Sequence, residues 1–547
     1  MGRRRLLAVG ESEEEAEEGE MGRGVSILMM ARAVWMAVRY TVVVPLLQVA
    51  IYLCATMSLM LFCERLYMGI VVAGIWLNRQ CSHRRRSSTK GRDADADDES
   101  RLEEDLEAGA DWPMVLVQIP MFNEKQVYRL SIGAACNLWW PAEKLVIQVL
   151  DDSTDAAVRS LVEAECRRWA SKGVHVHYEN RSNRNGYKAG AMREGLKKHY
   201  ARDCAFVAVF DADFQPDADF LRRTVPLLQS DPALALVQAR WRFVNADECI
   251  LTRIQEMSLD YHFSVEQEVG SACHAFFGFN GTAGVWRVQA LADAGGWKDR
   301  TTVEDMDLAV RASMRGWTFV YVDHVRVRNE LPSSFKAYRY QQHRWSCGPA
   351  NLMRKMFWEI ITSRQVSAWK KLHVLYGFFF VRKVVAHLVT FLFYCVVIPA
   401  YVLVQHDVHL PKYVAMYVPA IITLLNAICT PRSWHLLVFW ILFENVMSMH
   451  RSKATIIGLF EASRANEWVV TEKLGSSSAA AVTTMTMATK KKNQNQGNFH
   501  SSEILMGLCL LYCAIYDIIF GHDHFYVYLL MQSAAAFVIG LGYVGSQ

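Results

Sequence analysis

The sequence predicts an α/β domain built on a mostly parallel sheet and held between apolar segments long enough to cross a membrane. Three observations predict it. Short apolar runs alternate with helical patterns through the middle of the chain, as strands covered by helices on both faces do. Acidic residues stand at the carboxyl ends of those runs, where such sheets bind ligands. Stretches of ~20 apolar residues, the length that crosses a hydrocarbon core, flank the domain on both sides.

Taken in order, the strands are expected at 115–119, 145–150, 174–178, 206–210, 234–239 and 319–322. Spans are expected at 42–62, 384–404, 413–429, 504–520 and 525–543. The segment 66–77 is too short to cross and is expected along the interface. The segment 434–449, with Glu444 inside it and charges following, suits an amphipathic interfacial helix. The amino end carries Arg3 to Arg5 and an acidic run with no hydrophobic core of a cleavable signal, so the first span is expected to be an uncleaved anchor. The boundaries that follow are a tail at 1–41, an anchor and interfacial segment at 42–78, a charged linker at 79–111 and the α/β domain at 112–356. Membrane and interfacial helices at 357–463, a polar loop at 464–503 and two final membrane helices at 504–547 complete the chain. The basic cluster His83 to Arg86 next to the first span places that side in the cytosol.

Composition narrows the function. The chain has 547 residues, 52% hydrophobic, with a formal charge of only +4 and no basic stripe interleaved with aromatics, so nucleic acid is not an expected partner. The 13 cysteines show no paired CxxC spacing and are expected reduced, without structural zinc.

The carboxylates carry the chemistry. Asp151-Asp152 ends the second run; adjacent side chains on a strand point apart, so one can meet a nucleotide while the other anchors the loop Ser153 to Asp155. Asp211-Ala212-Asp213 follows the fourth run, and on a strand positions i and i+2 share a face. Both carboxylates can then converge on a hard divalent cation, Mg2+ or Mn2+, whose shell diphosphate oxygens complete. Thr302-Val-Glu304-Asp305-Met-Asp307 precedes a helical pattern that Thr302 can cap. Three acids exceed what a helix start requires, and Asp305 is the candidate general base for an acceptor hydroxyl. Gln341-Gln-His-Arg344-Trp345 pairs an arginine suited to phosphate with a tryptophan face suited to a sugar ring. In Phe276 to Gly284, glycines permit close backbone approach and aromatics can form a sugar platform.

These blocks, in this order and followed by several spans, resemble the processive enzymes of glycosyltransferase family 2, which include cellulose, chitin and hyaluronan synthases. The resemblance covers about residue 113 to the end. The phrases Gln148 to Asp155, Phe276 to Gly284 and Tyr340 to Pro349 resemble the plant cellulose-synthase-like A group, the β-1,4-mannan and glucomannan synthases. The sister group C, associated with the xyloglucan backbone, shares much of this pattern. The resemblance implies a cytosolic Rossmann-like domain of GT-A type, a multi-pass Golgi protein and a divalent cation. It implies GDP-mannose or GDP-glucose as donor, a growing β-1,4-linked polysaccharide as acceptor, the lipid bilayer as surroundings, and a homo- or hetero-oligomer as an open possibility. By position, Asp152 matches the first essential aspartate, Asp211 and Asp213 the donor and metal pair, Asp305 the base, and Gln341, Arg344 and Trp345 the acceptor motif. Lys188 falls in a donor-binding loop. Trp468-Val-Val-Thr471-Glu-Lys473 resembles a gating loop that closes over the donor, with tryptophan where the family has phenylalanine; Thr471 and Lys473 would then meet the diphosphate. A β-1,4-glucan synthase using UDP-glucose and a dolichol-phosphate sugar transferase are the alternatives.

Overall fold

The computed structural model describes residues 29–30, 32–89, 112–181, 183–405, 407–411, 413–427, 431–461, 499–521 and 523–545. Thr471 and Lys473 lie outside the described residues, as do 90–111 of the expected linker.

Among the described residues, seven strands form one sheet in the order β3-β2-β1-β4-β6-β5-β7. They are β1 (Val115–Met121), β2 (Leu145–Asp151), β3 (Val176–Asn180), β4 (Phe206–Val209), β5 (Leu234–Phe243), β6 (Gly284–Arg287) and β7 (Thr318–Asn329). All six expected strands are present. Pairing is parallel except at β6, which runs antiparallel to both β4 and β5. β6 is only four residues long and follows a glycine-rich stretch, so it carries no strand-length apolar run of its own.

Alternation explains why these strands are continuously apolar. Val115, Val117, Ile119, Leu145, Ile147 and Val149 enter one core, while Leu116, Val146 and Leu150 enter the core on the opposite face. A strand buried on both faces has no position that tolerates solvent.

Among the described residues, three helices are long and apolar enough to cross a membrane: Arg32–Cys81, Ala368–Val404 and Ser501–Phe520. The expected segment 66–77 continues the first helix without a break, and 79–89 prolongs it. The expected span at 525–543 appears as the shorter helix Tyr526–Gly540, whose 15 residues reach ~22 Å at ~1.5 Å per residue. These helices share a third core with members such as Ile51, Val385, Val389, Leu510 and Leu529. Leu437–Phe460 is one helix that buries Phe443, Val446, Met447 and Ala454. It packs along Phe335–Thr362, touching it where Gly458 meets the Cys347 carbonyl.

Candidate active site

The site lies beyond the carboxyl ends of β1, β2 and β4. At mid-sheet, Gln118 and Gln148 are fully buried and paired across β1 and β2, with Gln118 Nε2 donating to Gln148 Oε1 at 2.9 Å. Their remaining donors reach the carbonyls of Met192 and Gly195. Two buried amides thus pin the Tyr187–Gly195 helix to the sheet, and with it Lys188 at the helix start.

Asp151 and Asp152 divide their work as their opposite directions require. Asp151 accepts from the Ser153 amide at 2.9 Å and the Tyr178 hydroxyl at 3.0 Å, and so shapes the loop. Asp152 faces the cavity and pairs with Arg181, whose Nε donates at 2.8 Å.

The Asp211 to Asp213 motif reaches the same cavity by a different route from strand alternation. β4 ends at Val209, and a turn closed by the Phe214 amide on the Asp211 carbonyl at 2.9 Å carries both acids. Asp213 is buried and receives the Glu330 amide at 3.4 Å. Asp211 is 37% exposed and pairs with Lys188 Nζ at 2.5 Å. Lys188 also donates to the Gly281 carbonyl at 2.9 Å. Burial pulls the ammonium pKa down, but Asp211 and Glu304 outweigh it and hold it above the ordinary lysine value.

Gly281 joins two functional groups. Its φ of +81° favours glycine, and a Cβ there would stand 2.6 Å from Asp305 Oδ2. The phenylalanines around it are core residues, at most 3% exposed, and of them Phe277 and Phe279 also line a cavity with Asp305 and Trp345. Phe279 packs edge-on to Trp286 at 5.5 Å.

Asp305 lies in the first turn of the Glu304–Met314 helix, capped by Val303 rather than the expected Thr302 and without a side-chain bond. The three acids there have three fates. Asp307 has no exposure and is held by Arg300 at 2.5 Å and Arg311 at 2.8 Å, a structural ion cluster. Burial raises the Asp305 carboxyl, opposed chiefly by Lys188. Burial and then the charge of Asp305 push Glu304 up to about 8.

Gln341, Arg344 and Trp345 sit on the Phe335–Thr362 helix. Gly348, one turn on, lets that helix approach Val303, where a Cβ would stand 2.5 Å from Val303 Cγ1. This contact brings the tryptophan motif beside the Asp305 helix.

Asp152, Lys188, Asp211, Asp213, Asp305, Gln341, Arg344 and Trp345 all line one cavity of about 210 Å³. A second cavity of about 300 Å³ shares Asp305, Gln341 and Trp345 and runs towards the apolar helices along Phe378, Arg382 and Glu444. Residues on these walls that were not singled out from the sequence include Arg184, Phe122 and Trp241. Arg184 stacks 3.4 Å from the centre of the Phe122 ring. The basic pair Arg181 and Arg184 between β3 and the Lys188 helix was the available signal. Two carboxylates on one wall, one accessible, are a donor set a hard cation accepts when phosphate oxygens supply the rest. Among the described residues no group of three or more potential metal ligands clusters.

A domain of this fold with acids at the strand ends and apolar helices behind it has the architecture of a membrane-associated glycosyltransferase. Residues 116–282 match the family described as glycosyl transferase family 2, and residues 206–429 match glycosyl transferase family group 2. A glucomannan 4-beta-mannosyltransferase of Cyamopsis tetragonoloba is 58% identical over 97% of this chain and 98% of its own. An Arabidopsis thaliana relative, glucomannan 4-beta-mannosyltransferase 9, is 57% identical over 99% of both chains. Among solved structures, a mannosyltransferase of Pyrobaculum calidifontis in complex with GDP-Man and Mn2+ aligns with TM-score 0.47 and 16% identity over 75% of this chain and all of its own. The chain belongs to glycosyltransferase family 2 and, within it, to the family of glucomannan 4-beta-mannosyltransferases.

Proposed function

We propose that this chain is a processive, inverting transferase that extends a β-1,4-linked mannan or glucomannan backbone from GDP-mannose, with GDP-glucose as a second donor. One observation carries the reading: eight candidate residues from five separate sequence blocks meet on one cavity, and that cavity shares Asp305, Gln341 and Trp345 with a second whose wall includes Phe378 and Arg382 of the apolar helices. The near-full-length relatives carry the name of this activity.

The residues divide the work by position. Asp152, with Arg181 and Arg184, faces the nucleoside. Lys188 stands where it can leave Asp211 for a donor phosphate, because its ammonium remains protonated. Asp305 Oδ2 takes the proton of the acceptor 4-hydroxyl as that oxygen attacks the anomeric carbon from the side opposite the leaving diphosphate, which inverts the configuration. Trp345 stacks under the terminal sugar and Gln341 binds its edge. Arg344 offsets charge on the departing diphosphate. Asp211 and Asp213 would hold Mg2+ or Mn2+, and a bound ion would supply Lewis-acid neutralisation of that charge. The second cavity receives the lengthened chain and directs it between the membrane helices. The reading also has the enzyme in Golgi membrane with the α/β domain in the cytosol, where nucleotide sugars reach it.

Microsomes from a host without such polymers, given GDP-mannose, GDP-glucose or UDP-glucose with Mn2+, test this. Polymer digestible by β-1,4-mannanase is expected from GDP-mannose and none from UDP-glucose alone. Asp305→Asn is expected to lower the rate by about 10²- to 10⁴-fold. A polymer made from UDP-glucose only, or an unimpaired Asp305→Asn, would overturn the assignment.

A further inference from the structure

Beyond the acceptor cavity lies a third, of about 230 Å³, among the apolar helices. The acceptor cavity and this one share three residues: His387, Glu444 and Arg451. Those three side chains form a wall common to both cavities.

Arg451 is tied in three directions. It forms a forked ion pair with Glu444, two turns earlier on the same helix, including a bond from its Nη2 at 3.0 Å. Its Nε donates to Gln342 Oε1 at 2.8 Å. Its Nη2 donates to the Tyr338 hydroxyl at 2.9 Å. Gln342 and Tyr338 belong to the helix that carries Gln341 and Trp345, so the guanidinium straps the acceptor helix to the membrane helix across the path between the cavities. His387 Nδ1 stands 3.1 Å from Oγ1 of Thr455, one turn beyond Arg451 on the same helix.

We propose that Arg451 is a polymer-operated gate, closed by Tyr338 and Gln342 and opened by the hydroxyl edge of a neutral hexose chain. The inference rests on the polymerase reading above and adds a device to it. The chemistry favours exchange. A guanidinium offers five N–H donors in a fixed fork and needs only acceptor oxygens in their place. Sugar hydroxyls are such acceptors, and they can replace the Tyr338 and Gln342 oxygens one for one while Glu444 continues to balance the charge. An apolar chain would leave those donors unpaired in a buried site, which is costly. The gate therefore passes a polyhydroxylated chain and closes behind its absence.

The test uses the full-length enzyme in microsomes with GDP-mannose and Mn2+, and reads the product length distribution at equal sugar incorporation. Tyr338→Phe and Gln342→Met each remove one closing bond and leave the ion pair whole. Each is expected to lengthen the mean product by about two- to tenfold, the factor by which one net hydrogen bond shifts an equilibrium. Arg451→Lys loses the fork that holds Glu444 and the sugar edge together, and is expected to shorten it by a similar factor. Tyr338→Phe keeps the test standing even if Arg451→Lys does not accumulate. Wild-type lengths in Tyr338→Phe and Gln342→Met would overturn the gate while leaving the polymerase reading intact. No polymer from the wild-type enzyme would overturn the polymerase reading itself.

Discussion

Replacing Gly281 by alanine tests the site through a single methyl group. The new Cβ would stand 2.6 Å from Asp305 Oδ2 and 3.5 Å from its Cγ. A carbon and an oxygen settle at ~3.3 Å, so the carboxylate must retreat by roughly 0.7 Å. A misplacement of ~1 Å costs about a hundredfold in rate. The expected loss in kcat is therefore about 10- to 100-fold, equivalent to roughly 1.4–2.7 kcal/mol of activation free energy. The left-handed backbone at this position adds a folding cost of about 1–2 kcal/mol. That cost lowers the yield without explaining a rate loss per folded molecule. Incorporation of labelled mannose, normalised to enzyme that elutes as a single species in detergent, separates the two effects. KM for GDP-mannose should change less than kcat, because the role proposed for Asp305 is on the acceptor. Wild-type kcat in a folded Gly281→Ala enzyme would refute the placement of Asp305 as the base.

Three further outcomes follow from the same geometry. Glu304 is raised from 4.5 to about 8 in the folded chain, so the folded state holds an extra proton between those values and loses stability as pH rises through them. Glu304→Gln, which has no proton to lose, should gain thermal stability relative to wild type between pH 6 and 8; a constant difference across that range would contradict it. Asp307→Asn strips the buried partner from Arg300 and Arg311 and should cost about 3–5 kcal/mol, read as a fall in melting temperature in detergent. Chelation should abolish transfer and added Mn2+ or Mg2+ restore it, while Asp213→Asn should require more metal for half-maximal activity; chelator-resistant transfer would remove the cation from the scheme.

The legibility of the site depended on what each residue does locally. Acids at strand ends declared themselves because a buried apolar run makes a strand visible and its end predictable. Three acids in one helical turn also stood out, yet their sequence does not say which is neutralised by distant arginines. Asp307 is structural because Arg300 and Arg311 fold onto it. β6 was illegible because its four residues gain strand geometry only from β4 and β5 on either side. The helix Leu437–Phe460 read as interfacial because its charges break the apolar pattern; in the fold Arg451 and Glu444 satisfy each other inside a cavity wall.

By itself the sequence determined the mostly parallel α/β sheet, the flanking apolar helices and the family. Periodicity, strand-end chemistry and motif order are local properties that survive without a fold. Tertiary structure alone decided that the turn at Asp211 to Asp213, rather than strand alternation, presents the acids, and that Gly281 is the surface against which Asp305 and Lys188 are set. It also decided that Arg451 bonds Glu444, Gln342 and Tyr338 in a wall common to two cavities. Each of these depends on contacts between residues tens to hundreds of positions apart, and hydropathy or spacing along one chain carries no record of such distances.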